Sequence, residues 1–155
     1  MAPHFLDREQ FLPISLEDAW SFFSSPLNLA RITPPELGLE LLAPFDGRAA
    51  HTGQLIRYRV RPILRIALNW TTRMESVDGP YRFIDTQLDG PYRLWRHTHT
   101  FTPVPGGVHM KDRVEYRLPY GVFGDLFHGF LVRPRLERIF DYRKNALDAI
   151  FAPLL

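Results

Sequence analysis

Three turn motifs divide the second half of the sequence into short segments in which apolar and polar residues alternate. They are Asp78-Gly79-Pro80, Asp89-Gly90-Pro91 and Pro105-Gly106-Gly107. Alternation with a period of two, closed by Gly and Pro turns, is typical of strands joined as antiparallel hairpins. We therefore predict an antiparallel sheet of seven strands, covering residues 4–12, 37–43, 54–61, 66–77, 81–88, 92–102 and 108–118.

Helix signals lie on either side of the last six predicted strands. Ser15-Leu16-Glu17-Asp18 is a capping-box pattern that predicts a short helix over 19–23. Ser25-Pro26 predicts a second one, with Ser as the N-cap, which ends at Thr33-Pro34-Pro35. From Pro134 to about Phe151 the apolar residues fall on one arc of a long helix, and residues 125–132 form a short lead-in.

This order of elements predicts an α+β domain. A seven-stranded sheet has an apolar face to cover, and the long helix is the element able to cover it. If the sheet curls around that helix, the space between them is a cavity of small-molecule size. No linker or low-complexity segment interrupts the chain, so we expect one domain over residues 3–155.

Composition excludes several classes of protein. The 155 residues are 45% hydrophobic with a net charge of +2, which is unlike a disordered chain. With no cysteine there is no disulfide framework, cysteine nucleophile or thiolate metal site. No stretch is long and apolar enough for a membrane span, and no signal peptide is evident, so we expect a cytoplasmic protein. The basic outward strand positions lack interleaved aromatics, so we expect no nucleic-acid partner.

Four stretches of sequence carry a resemblance to a known superfamily. The chain resembles the SRPBCC proteins, which include START lipid-transfer domains, polyketide cyclases and the birch-pollen allergen. Within them it is similar to a bacterial subgroup labelled "cell division inhibitor" or SRPBCC ligand-binding protein. The resemblance implies a helix-grip fold, in which the sheet curls around the C-terminal helix and two short helices follow the first strand. The matching stretches are Arg31 to Gly38, Gly90 to His99, Asp112 to Pro119 and Leu136 to Arg143.

Two histidines and an aspartate are predicted to point into this interior. His97 and His99 share a strand face with Trp95 and Phe101, and Asp112 shares the apolar face of the next strand. A connecting loop with an even number of residues keeps the two faces in step. Asp112 would then lie opposite residue 97, 99 or 101. Trp95 and Tyr58 are expected near the same pocket, as wall or as core.

The hairpin before this one adds Asp85 and Gln87 to the candidate site. A three-residue loop at Asp89-Gly90-Pro91 would place Asp85 opposite Trp95, with Gln87 on the same inward face. A two-residue turn would reverse the phase and expose Asp85.

Arg143 is the exception on the long helix. It falls near the middle of the apolar arc, where a bare guanidinium is costly unless it is paired. We predict that it points into the cavity and meets Asp112, Asp85 or an anionic group of a ligand. Snorkelling to the cavity mouth is the alternative.

These residues predict binding of a small, partly hydrophobic or amphipathic molecule, and a carboxylate would suit the histidines and Arg143. The competing hypothesis is an enzyme of the cyclase, hydratase or isomerase type, with His97 or His99 and Asp112 in acid–base roles. The binding hypothesis is favoured over the enzyme hypothesis, since no nucleophile or oxyanion motif is present. A structural polar network and a protein-interaction module are further alternatives.

No metal or cofactor is expected: Asp112 could be a third ligand, but no fourth is evident. Self-association through the outer sheet is left open.

Overall fold

The computed structural model describes residues 2–62 and 65–152, and its framework is a seven-stranded antiparallel sheet. Its spatial order is β1-β7-β6-β5-β4-β3-β2, so β1 pairs with β7 and the short β2 lies at the far edge. The predicted fold class and strand number are confirmed. The strands are β1 (His4–Leu12), β2 (Glu40–Leu41), β3 (Leu55–Val60), β4 (Leu68–Asp78), β5 (Arg82–Asp89), β6 (Leu94–Val104) and β7 (Gly107–Arg117).

The hairpin between β6 and β7 determines which side chains meet inside. Val104 pairs with Gly107, which leaves a two-residue turn of Pro105 and Gly106. Gly106 has φ of +83°, a conformation that glycine adopts without steric cost. The loop has the even length that keeps the inward faces in phase. Every second residue of both strands is consequently buried over most of their length.

Two short helices follow β1, as predicted. The first, α1 (Leu16–Phe23), begins at Ser15, whose hydroxyl accepts a hydrogen bond from the Asp18 backbone N–H at 3.0 Å. The second is a 3₁₀ helix over Pro26–Ile32. Ser25 precedes it, but its side chain makes no capping hydrogen bond, so the predicted cap there is wrong.

The segment predicted as a strand over 37–43 is mostly not one. Leu37 ends a second 3₁₀ turn, Pro35–Leu37, and Gly38 reverses the chain with φ of +51°. Only Glu40–Leu41 pairs with β3. Two prolines before the segment favour a turn, and Pro44 after it has no N–H to donate to a strand ladder.

The C-terminal helix is continuous but has three parts. α2 (Val122–Phe127) leads into one π-helical turn, His128–Val132, and then into α3 (Arg133–Ile150). Pro134 lies in the first turn of α3, where its missing N–H is not needed. The buried residues of α3 are Leu136, Phe140, Arg143 and Leu147. Within the described residues, no helix is long and apolar enough to cross a membrane.

Two apolar clusters fill the space between the sheet and the helices. One includes Phe101, Met110 and Leu147 and extends to α1. The other includes Trp95, Val114 and Phe140. On β6, β7 and α3 alike, the residues between these two clusters are polar.

Candidate functional site

A layer of ionisable side chains crosses the core between the two apolar clusters. β6 contributes His97 and His99, β7 contributes Asp112, and α3 contributes Arg143. These four are buried, with Asp112 only 2% exposed, and Asp85 of β5 lies at the rim with a side chain 17% exposed. The structure therefore brings together five of the eight residues that the sequence analysis singled out. We call these five residues the polar layer.

The two carboxylates hold the two imidazoles in place. His97 Nε2 donates a hydrogen bond to Asp112 Oδ1 at 2.9 Å, and His99 Nε2 donates one to Asp85 Oδ2 at 2.9 Å. His99 Nδ1 also lies 2.9 Å from Asp112 Oδ1, although its direction is not that of a hydrogen bond. The two rings lie face to face, with their centroids 3.7 Å apart and a tilt of 35°.

Burial and neighbouring charge shift the pKa values of the two histidines in opposite directions. Burial lowers the pKa of His97, and the charge on His99 lowers it further. Burial also acts against a charged His99, but Asp112 and then Asp85 outweigh it and raise the pKa of His99. Burial likewise opposes ionisation of Asp112, but His97 and His99 hold its pKa well below its usual range. The opposite directions of these shifts favour the charged form at His99 over His97.

Arg143 is the least satisfied member of the polar layer. It is 8% exposed, and its Nη1 lies 3.8 Å from Asp112 Oδ2, too far for a hydrogen bond. Among the described residues, no group forms a hydrogen bond with its guanidinium, and its Nε is fully buried. Its Cζ lies 4.7 Å from the centre of the Phe140 ring, a cation–π contact. A guanidinium has five N–H donors, so this side chain retains most of its capacity to bind an anion.

A small cavity adjoins Arg143 and Asp112. Its volume is about 30 Å³, which is room for about one water molecule. It opens between β1, β7 and α3, and its walls include Gln10, Met110 and Phe140 together with the charged side chains of Arg8, Glu9, Asp141 and Lys144. A larger depression of about 370 Å³ lies at the other end of the sheet, lined by Tyr58, Arg57, Asn69 and Thr71 among others.

The other three predicted residues lie near the polar layer but are engaged elsewhere. Trp95 packs against Trp70 and Tyr92 as part of an aromatic cluster. Tyr58 belongs to the apolar core, and burial together with the charge of Asp85 raises its pKa. Gln87 bonds to the Tyr92 backbone, donating to the carbonyl at 2.6 Å and accepting from the N–H at 3.3 Å. Their roles in binding remain predictions.

The predicted partner of Asp85 needs a correction. Asp85 pairs with His97, not Trp95. Because the error is two residues, the inward face is unchanged. The error arises because the loop is wider than three residues. Hydrogen bonds between the Gln87 side-chain amide and the Tyr92 backbone hold this wider loop.

A second polar contact was missed by sequence reasoning. The Tyr116 hydroxyl lies 2.7 Å from His128 Nε2 in a buried position, and the His128 ring stacks on His4 at 3.6 Å. His4 Nε2 is in turn 3.2 Å from Asp125. This contact joins β1 and β7 to the π turn. His4 and His128 are far apart in the sequence, and no local pattern around either one indicates the pairing.

The segment ahead of α3 exposes apolar side chains. Phe123 is 72% and Phe130 is 65% exposed, and they belong to a run of such residues: Tyr120, Val122, Phe123, Leu126, Phe127, Phe130 and Leu131. A run of this size exceeds the scattered apolar residues that are normal on a protein surface. We call these seven residues the apolar segment.

Solved structures share this architecture over nearly the whole chain. Protein CV1439 from Chromobacterium violaceum matches with a TM-score of 0.75 and 17% identity, covering 98% of this chain and 100% of that one. A START superfamily protein from Mycobacterium smegmatis matches with a TM-score of 0.71 and 15% identity, covering 98% and 99%. Ginseng major latex-like protein 151 from Panax ginseng gives 0.70 and 10%, covering 99% and 100%. No protein-family model and no curated protein matches the sequence.

The fold therefore has a definite class. The chain has the helix-grip fold of START-like proteins, as its resemblance to SRPBCC proteins implied. At these identities the likeness concerns the fold alone. What the chain does has to be argued from the polar layer, the small cavity and the apolar segment.

Proposed function

We propose that this protein binds a small, partly hydrophobic molecule between the sheet and the C-terminal helix, with an anionic group, such as a carboxylate, directed at Arg143. The observation that carries this proposal is the buried guanidinium of Arg143, which has no hydrogen bond among the described residues and adjoins a cavity. A buried charged group left without hydrogen bonds costs stability. A ligand that supplies acceptors accounts for its presence there.

The surroundings of Arg143 favour a ligand with both apolar and anionic parts. Leu136, Phe140 and Leu147 share its helix face, and Met110 lies across the cavity. Apolar walls supply affinity, while a few convergent polar groups fix orientation. Planar, bidentate contact with a carboxylate is the interaction for which a guanidinium is best suited.

Entry of such a ligand requires the helix to move. The cavity of about 30 Å³ holds no more than the anionic end of a small molecule. The apolar segment precedes α3, and its last two residues, Phe130 and Leu131, lie in the π turn. Displacement of the apolar segment would widen the cavity and bring its side chains into contact with the ligand. Pockets of this kind are minor conformations that a ligand stabilises.

Native mass spectrometry of freshly purified protein tests the proposal directly, because a retained molecule would show as added mass. A second test uses 8-anilinonaphthalene-1-sulfonate, a fluorescent probe that is both apolar and anionic. We expect Arg143→Met to weaken its binding by about tenfold or more, which corresponds to about 1.4 kcal/mol. Arg138→Met is the matched control, since Arg138 is an exposed arginine of the same helix.

Two results would overturn the proposal. One is probe binding that Arg143→Met leaves unchanged. The other is binding that Arg138→Met weakens by the same factor, which would indicate attraction to surface charge.

One observation favours a second candidate, an acid–base enzyme. Burial lowers the pKa of His97, which favours its neutral form, and its Nε2 donates a hydrogen bond to Asp112 Oδ1 at 2.9 Å, so Nδ1 is left as a base oriented by a carboxylate. His97→Gln separates the two candidates once a retained molecule is identified. Turnover of that molecule lost with its affinity kept would favour catalysis, and affinity lost without any turnover in the wild type would favour binding.

A further inference from the structure

We propose that Asp85, His97 and His99 form a binding site for a divalent transition-metal ion of the zinc type, with Asp85 Oδ2, His97 Nδ1 and His99 Nε2 as ligands. One donor atom from each residue lies within 4.8 Å of the other two. Zinc bonds to histidine nitrogen and carboxylate oxygen are about 2.0–2.2 Å long, so a small contraction brings all three onto one ion.

The unoccupied nitrogen of His97 supports this site. Asp112 accepts a hydrogen bond from His97 Nε2, so that nitrogen carries the proton and Nδ1 has a free lone pair. Among the described residues, Nδ1 has no hydrogen-bond partner, although His97 is only 5% exposed. Asp85 Oδ2 lies 4.0 Å from it, a spacing too long for a hydrogen bond and slightly wider than that of two ligands of one zinc ion.

Asp112 supports His97 by a hydrogen bond and lies close to the corresponding nitrogen of His99 without forming one. It lies 2.9 Å from Nε2 of His97 and 2.9 Å from Nδ1 of His99, which in each ring is the nitrogen on the side away from Asp85. Histidines that bind metals commonly donate their other ring N–H to a carboxylate, which fixes the tautomer and the ring orientation. One carboxylate here has that position relative to both rings.

The chemistry of the donors indicates the kind of ion. Two imidazoles and a carboxylate suit zinc and its neighbours, whereas calcium and magnesium prefer sites made of oxygen. Three protein ligands leave a fourth position open. Binding requires the His99 Nε2 proton to leave to solvent, and the ion then faces two carboxylates together with Arg143. One positive charge remains in excess, so an anion is the ligand that the open position would take.

The sequence alone predicts no metal, because Asp112 is the third candidate ligand there and no fourth is evident. In the structure Asp112 lies behind both rings, and Asp85 occupies the position of the third ligand. Three ligands with an open position define a site for an exchangeable group and need no fourth side chain.

The test is titration of tag-free, chelator-treated protein with zinc chloride, followed by calorimetry. We expect one zinc per chain, and an affinity lowered about tenfold or more by Asp85→Asn and by His97→Ala. Asp112→Asn should lower it by about 10- to 100-fold through loss of the support. His109→Ala is the matched control, because His109 is a partly exposed histidine 3.2 Å from Glu9 on the outer face of β7, and it should change nothing.

Cobalt(II) provides a readout that does not depend on the stability of any variant. Bound at three protein ligands plus one exchangeable ligand, it should give the visible absorption of a four-coordinate ion, and sodium acetate should perturb that spectrum. Equal zinc affinity in the wild type and in Asp85→Asn, or only an octahedral cobalt spectrum, would overturn the proposal. The probe experiment with Arg143 is run on metal-free protein, so either proposal can fail alone.

Discussion

The inner and outer faces of β6 carry ionic contacts of opposite character. On the outer face, Arg96 forms a bidentate pair with Glu75, with Nη2 to Oε1 at 2.8 Å and Nε to Oε2 at 3.0 Å. Thr86 donates a further hydrogen bond to Glu75 at 2.7 Å. His97, the next residue along β6, points inward and has one hydrogen bond from two ring nitrogens.

The two faces of β6 differ in the free-energy cost of placing ionic groups there. The outer pair is partly exposed and has good hydrogen-bond geometry. It therefore loses little hydration on folding and stabilises the fold by roughly 0–1 kcal/mol. In the polar layer, among the described residues, neither His97 Nδ1 nor the guanidinium of Arg143 has a hydrogen bond, although both side chains are mostly buried. Replacement of buried ionic groups by apolar ones is often neutral or stabilising. Fold stability therefore explains the outer contacts but not the inner ones, for which we propose a role in binding.

The largest effect is expected from breaking the polar layer at its centre. Asp112→Ala removes the carboxylate that both imidazoles and Arg143 share, and leaves cations buried without a counter-charge. We expect a loss of about 3–5 kcal/mol in the free energy of unfolding, measured by urea denaturation. Glu75→Gln, the outer-face control, should cost at most about 1 kcal/mol. Equal costs for the two variants would erase the distinction between the faces.

A smaller effect of the opposite sign is expected at Arg143. In Arg143→Met the volume is roughly kept, Asp112 retains both imidazoles, and the cost of burying a guanidinium is removed. The free energy of unfolding should stay unchanged or rise by up to about 1 kcal/mol, while binding of the fluorescent probe weakens. A loss of several kcal/mol in urea denaturation would show that the 3.8 Å contact with Asp112 is a structural ion pair instead.

The smallest effect concerns pH and the outer face. Hydrogen bonds from Arg96 and Thr86 lower the pKa of Glu75 from 4.5 to about 2. A carboxyl whose pKa is lowered by folding stabilises the fold fully above pH 4.5, and that contribution is lost as the pH falls towards 2. The difference in urea midpoint between the wild type and Glu75→Gln should therefore shrink between pH 6 and pH 3.

An NMR titration checks the cause of this pKa directly. In Arg96→Gln the pKa of Glu75 should move back towards 4.5, because the largest contribution to its lowering is removed. A Glu75 pKa that stays near 2 in that variant would contradict the assignment to Arg96.

Local pattern was sufficient to predict much of the polar layer. Alternation along β6 and β7, with a two-residue turn between them, placed His97, His99 and Asp112 on one face, and His99 pairs with Asp112. Helical periodicity identified Arg143 as a buried exception. These predictions depend on short-range geometry, which can be inferred from the local sequence.

Other features depend on contacts that the sequence does not state. The pairing of Asp85 with His97 follows from a loop closed by Gln87, and a turn motif alone does not give its length. The contact of His128 with Tyr116 and His4 is created by tertiary packing. The size of the cavity depends on how closely α3 packs against the sheet, and no periodicity encodes that distance.

The π turn at His128–Val132 separates two helical phases within one continuous helix. It holds one residue more per turn than an α-helix, so deletion of a single residue there would restore one periodicity throughout. Because α3 is fixed by its packing on the sheet, the resulting rotation of about 100° would fall on α2 and redirect Phe123 and Leu126. Deletion of one residue would thus change the surface that this end of the molecule presents, while the buried residues of α3 keep their places.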